Sequence, residues 1–209
     1  MFQREFSMID TIIFDIGNVL LDFDYMKQFR RLFDEETAQA IADISVRKLE
    51  NWIELDRGVL SYDQAVDRII QDAPHLAEEI RLAVRELYRN VEAYAYAEKW
   101  VKALKEKGYK LYVLSNYGEK PFAQSKGNMP FLQHMDGQLI SYEIREVKPS
   151  AAIYRALCDK FQIDPDKAVF IDDSAVNIAG AKDFGLHTVH FTGYADAIAQ
   201  LEALPMAYG

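Results

Sequence analysis

The stretch IDTIIFDIGNVLLDFD, residues 9–24, decides the fold of this chain. It begins with an apolar run over residues 9–14 that is rich in β-branched side chains and stops at Asp15. Gly17 and Asn18 follow, and both residue types are common in turns. The pattern therefore predicts a short buried strand that ends in a turn and carries a carboxylate at its end.

The spacing of apolar residues becomes helical after this strand, from residue 25 to about residue 91. Within that segment, Ser61 and Gln64 have the spacing of a capping box, which predicts a helix that begins at Ser61. Five aromatic residues of the segment are expected mainly to pack between helices: Tyr25, Phe29, Phe33, Trp52 and Tyr62.

Predicted helices and strands alternate after residue 92, which is typical of parallel β-α units. The predicted strands cover residues 111–114, 139–140, 168–171 and 188–191. We therefore expect an α/β fold with a doubly wound, Rossmann-like parallel sheet as its core (residues 1–22 and 92–209). An all-helical cap (residues 23–91) is inserted after the first strand.

The composition excludes several classes of protein. The 209 residues carry 24 basic and 33 acidic side chains, a net charge of −9, which disfavours binding to nucleic acid. The longest stretch without Asp, Glu, Lys or Arg covers residues 184–195, about half the length of a membrane-spanning helix. Cys158 is the only cysteine, so no internal disulfide forms and a cytoplasmic location is expected. The composition carries no signal for an oligomeric state.

Polar residues follow the predicted strands, at positions that an open parallel sheet brings to one crevice. They are Asp15, Ser115 with Asn116, Lys148 in the loop before a helix, and Asp172 with Asp173. Each alone is ordinary turn or helix-cap chemistry. Together, three carboxylates need a cation, and oxygen ligands favour Mg²⁺. A hydroxyl and an ammonium beside that ion are suited to binding a phosphoryl group.

Four runs resemble, in order and spacing over essentially the whole chain, the motifs of the haloacid dehalogenase-like hydrolase superfamily. They are IIFDIGNVLLDFD, LYVLSN, SYEIREVKPSAAIY and VFIDDSAVNIAGAKDFG. Within the superfamily, the sequence is most similar to the branch with a helical cap after the first motif. The DIGNV variant of the first motif also resembles the bacterial alpha-D-glucose-1-phosphate phosphatase group.

The resemblance implies a Mg²⁺-dependent phosphatase. Asp15 would attack phosphorus and form an aspartyl-phosphate that water then hydrolyses. Mg²⁺ would be held by Asp15, by the backbone carbonyl of Gly17, by Asp173 directly and by Asp172 through water. Three further residues would bind the phosphoryl group of the substrate: Ser115, Asn116 and Lys148.

Gly17 departs from the family pattern, because most phosphatases of this family have a second aspartate there as general acid and base. General acid-base catalysis contributes typically 10² to 10⁴ in rate. Asp22 and Asp24 lie shortly downstream, and either they reach back to supply the proton or they are solvated residues at the edge of the cap. Without a replacement, the rate should depend steeply on the acidity of the leaving alcohol.

Three functions are compatible with these residues. The leading hypothesis is a Mg²⁺-dependent phosphatase for a small phosphorylated metabolite, a sugar phosphate such as a sugar 1-phosphate. The second is a metal-independent haloacid dehalogenase, which uses the same aspartate and also lacks the second one. The third is a catalytically weak protein that binds a phosphorylated ligand. Asp172 and Asp173 argue against the dehalogenase, since two extra carboxylates without a cation repel an anionic haloacid.

Overall fold

A computed structural model describes residues 8–208 of the chain. Its main element is a five-stranded sheet in which all neighbouring strands are parallel. Its five strands are β1 (Thr11–Phe14), β4 (Lys110–Ser115), β5 (Gly137–Ile140), β6 (Ala168–Asp172) and β7 (His187–His190). Two further short strands, β2 (Leu21–Asp22) and β3 (Glu92–Ala93), form a separate antiparallel pair. The sheet has the order β5-β4-β1-β6-β7, which places β1 at its centre. The predicted α/β fold is confirmed.

Helices lie between and after these strands. They are α1 (Tyr25–Leu32), α2 (Glu35–Arg47), α3 (Leu49–Asp56), α4 (Tyr62–Asp72), α5 (Ala77–Arg89), α6 (Ala97–Glu106), α7 (Glu119–Ser125), α8 (Ala151–Phe161), α9 (Ala175–Phe184) and α10 (Tyr194–Glu202). Helices α1 to α5 all lie between β2 and β3 in the chain. No helix within residues 8–208 has the length and apolar composition that crossing a membrane requires.

The core lies on both faces of the sheet because successive side chains of a strand point to opposite faces. In β1, Phe14 packs against Trp100 with ring centroids 5.0 Å apart, in one buried cluster. Ile13 belongs to a second cluster with Tyr154 and Phe170. Burying a large apolar side chain contributes about 1.5–3 kcal/mol. Burial on both faces fixes the end of β1, and therefore the position of Asp15.

The helical segment shows the predicted capping box. Ser61 Oγ accepts the Gln64 N–H at 3.2 Å, and the Ser61 N–H donates to Gln64 Oε1 at 2.9 Å. Helix α4 begins at the next residue and buries Ala65, Val66 and Ile69. These reciprocal bonds give hydrogen-bond acceptors to two backbone N–H groups that have none within the helix. The prediction of a helix start at this position is confirmed.

The bounds of all five strands of the sheet differ from the predicted bounds by one or two residues at one or both ends. The first strand begins at Thr11, because Ile9 pairs instead with Met206 near the other end of the chain. The last strand begins and ends one residue earlier than predicted, because His187 already pairs with Val169. The antiparallel pair of β2 and β3 was not predicted, since strands of two residues have no recognisable periodicity. It joins the two ends of the segment that contains α1 to α5.

Candidate active site

Three polar side chains meet at the carboxyl edge of the sheet. Asp15 follows β1, Ser115 is the last residue of β4, and Asp172 is the last residue of β6. Since β4 and β6 are the two neighbours of β1, Ser115 and Asp172 flank Asp15. The Ser115 hydroxyl donates a hydrogen bond of 2.7 Å to Oδ1 of Asp15. The structure therefore brings together residues that the sequence placed at one edge.

Lys148 lies between two of these carboxylates, although it comes from the loop before α8. Its Nζ atom is 2.9 Å from Oδ1 of Asp15 and 2.7 Å from Oδ2 of Asp172. Asn116 holds the loop: its Oδ1 accepts the Lys148 N–H at 2.8 Å, and its Nδ2 donates to the Lys148 carbonyl at 3.2 Å. Asn116 thus positions Lys148, and its contact with a substrate stays a prediction.

Burial and neighbouring charges shift the pKa values of Asp15 and Lys148. Loss of hydration raises the pKa of Asp15 to about 6; the Lys148 ammonium opposes the shift and Asp172 adds to it. Burial also disfavours the charge on Lys148, but the carboxylates of Asp15 and Asp172 outweigh this effect and raise the pKa of Lys148. The ammonium therefore stays charged at neutral pH and compensates one negative charge of the site.

Asp15, Asp172 and Asp173 form an acidic cluster in which one oxygen of each lies within 4.8 Å of the others. Asp172 is fully buried, and its oxygens accept from the Ser174 N–H, from Asn177 Nδ2 and from Lys148. Asp173 is only partly buried. The three carboxylates outnumber the single ammonium beside them, so a cation is favoured at this cluster.

The carboxylate of Asp173 accepts fewer hydrogen bonds than the carboxylate of Asp172 does. The one side-chain hydrogen bond that its carboxylate accepts among the described residues comes from Asn18 Nδ2, 3.1 Å from its Oδ2. Asn18 has a left-handed backbone with φ of 56°, which asparagine adopts more readily than most residues. This turn places Asn18 next to Asp173 and leaves the other Asp173 oxygen available.

Gly17 lies in the same turn and lines the site without offering a side chain. Its backbone carbonyl accepts no hydrogen bond from residues 8–208 and is therefore available to a ligand. A Cβ atom at this position would have Phe23 Cβ as its nearest neighbour, at 4.0 Å. The position therefore has room for a side chain, although the residue there is glycine.

A cavity of about 320 Å³ lies between Asp15 and the helical segment. Its wall from that segment is mainly apolar and consists of Tyr25, Phe29, Ser45, Leu49, Trp52, Asp56, Leu87 and Tyr88. Tyr25, Phe29 and Trp52, which were expected mainly to pack between helices, also line this cavity, while Phe29 is buried in the core and Trp52 packs against it. Their apolar spacing is the same for a helix that packs and for one that also faces a cavity, so the sequence did not distinguish the two.

Asp56 was not predicted as a site residue. It is the last residue of α3, and it lines the cavity. Burial raises the pKa of Asp56 to about 7; the Gly118 N–H and Lys148 oppose the shift, and Asp15 adds to it. The sequence signal was weak, because an aspartate followed by Arg57 and Gly58 resembles an ordinary helix end.

Asp22 and Asp24, the two acids suggested as replacements at the first motif, have other partners. Asp22 forms an ion pair with Lys27, and Asp24 caps α1 by accepting the Lys27 N–H at 2.9 Å. Neither lines the cavity. The structure therefore assigns both to the start of α1.

Comparisons with known proteins agree with this geometry. A family model for haloacid dehalogenase-like hydrolases matches residues 9–185. A D-ribitol-5-phosphate phosphatase from Bacteroides thetaiotaomicron is 26% identical over 193 residues, which cover 87% of this chain and 91% of that protein. (S)-2-haloacid dehalogenase 4A from Burkholderia cepacia is 28% identical over 102 residues, or 49% of this chain and 44% of that protein.

Bifunctional epoxide hydrolase 2 from Mus musculus is 31% identical over 104 residues, or 48% of this chain. The match spans only 19% of that hydrolase and 44% of the Burkholderia dehalogenase, less than half of either length.

Solved structures show the same fold. A HAD family enzyme from Bacteroides thetaiotaomicron, in complex with magnesium and inorganic phosphate, superposes with a TM-score of 0.69 at 21% identity and covers 87% of this chain and 93% of that one. A dehalogenase superposes with a TM-score of 0.71 at 22% identity and covers 88% of this chain and 85% of that one. The family match runs from the strand before Asp15 to the end of α9 and includes every residue of the site, so the chain belongs to the haloacid dehalogenase-like hydrolases.

Proposed function

We propose that this hydrolase is a Mg²⁺-dependent phosphatase for a small phosphorylated metabolite, with residues 23–91 acting as a helical cap over the site. The observation that carries the proposal is the buried carboxylate of Asp15, held by Ser115 and Lys148 beside two further aspartates. A nucleophile, a hydroxyl and an ammonium at one cavity, with two further carboxylates beside the nucleophile, are the groups that phosphoryl transfer requires.

Asp15 is the proposed nucleophile. Its Oδ1 atom is bound by Ser115, by Lys148 and by the Ile16 N–H at 2.7 Å. Its Oδ2 atom accepts no hydrogen bond from the described part of the chain, so one oxygen is anchored while the other is available to attack phosphorus. Attack forms an aspartyl-phosphate and releases the alcohol, which divides one difficult hydrolysis into two steps.

The donor set fits Mg²⁺, because all of its ligand atoms are oxygens and none is sulfur or nitrogen. Asp15, the Gly17 carbonyl and Asp173 would hold the ion directly. Asp172, whose oxygens are already hydrogen-bonded, would hold it through water. When bound, Mg²⁺ neutralises negative charge on the phosphoryl group.

Ser115 and Lys148 are proposed to bind the phosphoryl group itself. Both already lie against the nucleophile, so a phosphoryl group transferred to Asp15 comes within their reach. Lys148 supplies a point charge that stays positive in this site. Asn116 holds the Lys148 backbone and lines the same cavity, where it is proposed to contact the substrate as well.

The proposed substrate is a sugar phosphate, such as a sugar 1-phosphate. The cavity of about 320 Å³ has the size of a small-molecule site and lies between the sheet edge and the helical segment. The flat rings of Tyr25, Trp52 and Tyr88 offer apolar faces on which the ring of a sugar can stack. The relationship to a D-ribitol-5-phosphate phosphatase over most of both chains supports this class of substrate.

A haloacid dehalogenase is the second candidate, and Gly17 favours it, because that chemistry needs an aspartate nucleophile without a second acid. The mainly apolar cavity wall also suits a small haloacid. The position of Asp173 disfavours a dehalogenase. Its carboxylate lies beside the nucleophile, has one oxygen without a hydrogen bond from the described residues, and repels an anionic substrate unless a cation is bound.

The experiment measures inorganic phosphate released from sugar 1-phosphates, sugar 6-phosphates and phenyl phosphate, with Mg²⁺ and with EDTA. Halide release from 2-chloropropionate is measured in parallel, and Asp15→Asn is the control. We expect Mg²⁺-dependent phosphate release that the control abolishes. Halide release that persists in EDTA, without phosphate release, would replace the phosphatase by the dehalogenase.

A further inference from the structure

Hydrolysis of a phosphate ester needs a group that gives a proton to the leaving oxygen, and Gly17 does not supply one. Such a group must reach the cavity in which the ester lies. Among the described residues that line the cavity, Asp15 and Asp56 are the carboxyls, and Asp15 is already the proposed nucleophile. The hydroxyl of Tyr117 is donated to Ser125 at 2.9 Å, within the protein.

Taking the proposed phosphatase function as given, we propose that Asp56 is the general acid and base of this enzyme, supplied by the helical segment in place of the residue missing at Gly17. Asp56 is the last residue of α3 and lines the same cavity as Asp15. It lies near enough to Asp15 and Lys148 for their charges to affect it. A substrate whose phosphoryl group lies at Asp15, Ser115 and Lys148 would have its leaving group in the cavity that Asp56 also lines.

The end of α3 is held against the core, which gives the Asp56 carboxyl a defined position. The buried Ser141 hydroxyl donates to the Asp56 backbone carbonyl and accepts the Tyr117 N–H at 2.9 Å. Gly118 makes the close approach possible, because a Cβ atom there would lie 2.9 Å from Leu55 Cγ and 3.1 Å from the Leu55 carbonyl. One buried hydroxyl therefore connects the end of α3 to the loop after β4.

The surroundings of Asp56 suit a group that exchanges protons at neutral pH. Burial raises the pKa of its carboxyl to about 7, so both protonation states are populated. The groups facing it are Lys148 and the Gly118 N–H, which favour the charged form, and Asp15, which disfavours it. Two tyrosines also lie near it, Tyr88 and Tyr117, and burial raises the pKa of each far above neutrality.

The proposed reaction has two steps, and Asp56 gives a proton in the first and takes one back in the second. An Asp15 oxygen forms a bond to phosphorus while the bond from phosphorus to the leaving oxygen breaks, and the Asp56 carboxyl gives its proton to that oxygen. The products of this step are the free alcohol, the aspartyl-phosphate and the Asp56 carboxylate. Water then attacks phosphorus, its proton passes to Asp56, and the bond to Asp15 breaks. Inorganic phosphate leaves with both aspartates in their starting states.

The test uses Asp56→Asn in the 209-residue chain with Mg²⁺, because asparagine has the size of aspartate and cannot donate a carboxyl proton. Phenol release in a single turnover is measured for aryl phosphates that range from 4-nitrophenyl to phenyl phosphate. We expect the variant to lose about 10²-fold or more with phenyl phosphate and less than about tenfold with 4-nitrophenyl phosphate, whose leaving group needs little protonation. Its pH profile with phenyl phosphate should lose the decrease above about pH 7, where Asp56 gives up its proton, and keep the rise near pH 6 at which Asp15 becomes a carboxylate.

Two further variants keep the result interpretable. Asp56→Glu retains a carboxyl and should restore a shallow dependence on the leaving group, which a purely structural role does not predict. Asp22→Asn is the control, since Asp22 pairs with Lys27 outside the cavity, and it should match the wild type within about twofold. Thermal melting of each variant checks that it is folded.

The outcomes separate the two levels of the proposal. If the wild type releases no phosphate from any substrate, the phosphatase function fails and the role of Asp56 fails with it. If the wild type is active but Asp56→Asn slows all aryl phosphates by one common factor, or leaves the pH profile unchanged, Asp56 is not the acid although the enzyme is a phosphatase. A steep dependence in Asp22→Asn instead would transfer the role to Asp22.

Discussion

The Nζ atom of Lys148 lies 2.9 Å from Oδ1 of Asp15, with the lysine side chain 1% exposed and the aspartate side chain 10% exposed. An ion pair this deeply buried is costly to break, because the remaining charge has neither water nor a partner. The pair therefore serves both the stability of the sheet edge and the electrostatics of the proposed nucleophile.

Replacing Lys148 by methionine should affect stability as well as turnover. The substitution leaves Asp15 and Asp172 without their shared cation, and breaking a buried pair costs about 3–5 kcal/mol. We expect this loss in the free energy of unfolding without metal, and a partial recovery in Mg²⁺, because the ion supplies positive charge to the same carboxylates. Urea unfolding with and without Mg²⁺ measures both. Unchanged stability in EDTA contradicts the buried pair.

Asp173 and Asp172 should differ in their effects on metal and on stability. We expect Asp173→Ala to weaken Mg²⁺ binding by at least about tenfold, as loss of a direct ligand does. Asp172→Ala should weaken it less but lower the melting temperature more, because it removes one of the two buried carboxylates that bind Lys148 and the side-chain acceptor of Asn177. Calorimetric titration with Mg²⁺ and thermal melting give the two quantities. Equal Mg²⁺ affinities would show that the direct ligand is assigned wrongly.

The raised pKa of Asp56 predicts a specific dependence of stability on pH. The folded chain binds this proton more tightly than the unfolded chain, so the stabilisation is complete below about pH 4, the ordinary pKa of an aspartate. It is lost as the pH rises through the folded-state value of about 7. Asp56→Asn stays neutral and should gain stability relative to the wild type from about pH 4 to pH 7, as urea unfolding measures. Parallel stability curves contradict the burial of this carboxyl.

Three residues of the site could be predicted because each lies at the end of an apolar run that is recognisable in the sequence itself. Asp15, Ser115 and Asp172 directly follow or end buried apolar runs, and parallel strands bring such ends to one edge. Lys148 was placed with them from its position in the loop before a helix, but its contacts with Asp15 and Asp172 depend on how that loop folds against the sheet edge.

Asp56 could not be predicted in this way. Its position depends on the contact of α3 with Gly118 and Ser141, which lie more than sixty residues away in the chain. The cavity-facing side of Tyr25 and Trp52 depends on helix packing in the same way, since the periodicity of a helix does not say what covers its apolar face.

Restoring an acid at the family position should rescue the enzyme that lacks Asp56. The backbone at Gly17 has room for a side chain, with its nearest neighbour 4.0 Å from a Cβ atom. In the Asp56→Asn background, Gly17→Asp should therefore make the single-turnover rate depend less steeply on the acidity of the leaving phenol. The same aryl phosphate series measures this slope. An unchanged slope in a folded double variant would mean that an acid at position 17 does not reach the leaving oxygen.

Phosphorylation of Asp15 during turnover is the step on which the proposed mechanism depends. It is tested most directly by quenching the enzyme with acid while it turns over phenyl phosphate in Mg²⁺, and by mapping the phosphoryl group through peptide mass spectrometry. We expect one phosphoryl group on the peptide that contains Asp15, located on that aspartate and absent from Asp15→Asn, whose phosphate release should fall by at least about 10³-fold. Phosphate release from Asp15→Asn within tenfold of the wild type, with no phosphoryl group on Asp15 of the quenched wild type, would contradict the account.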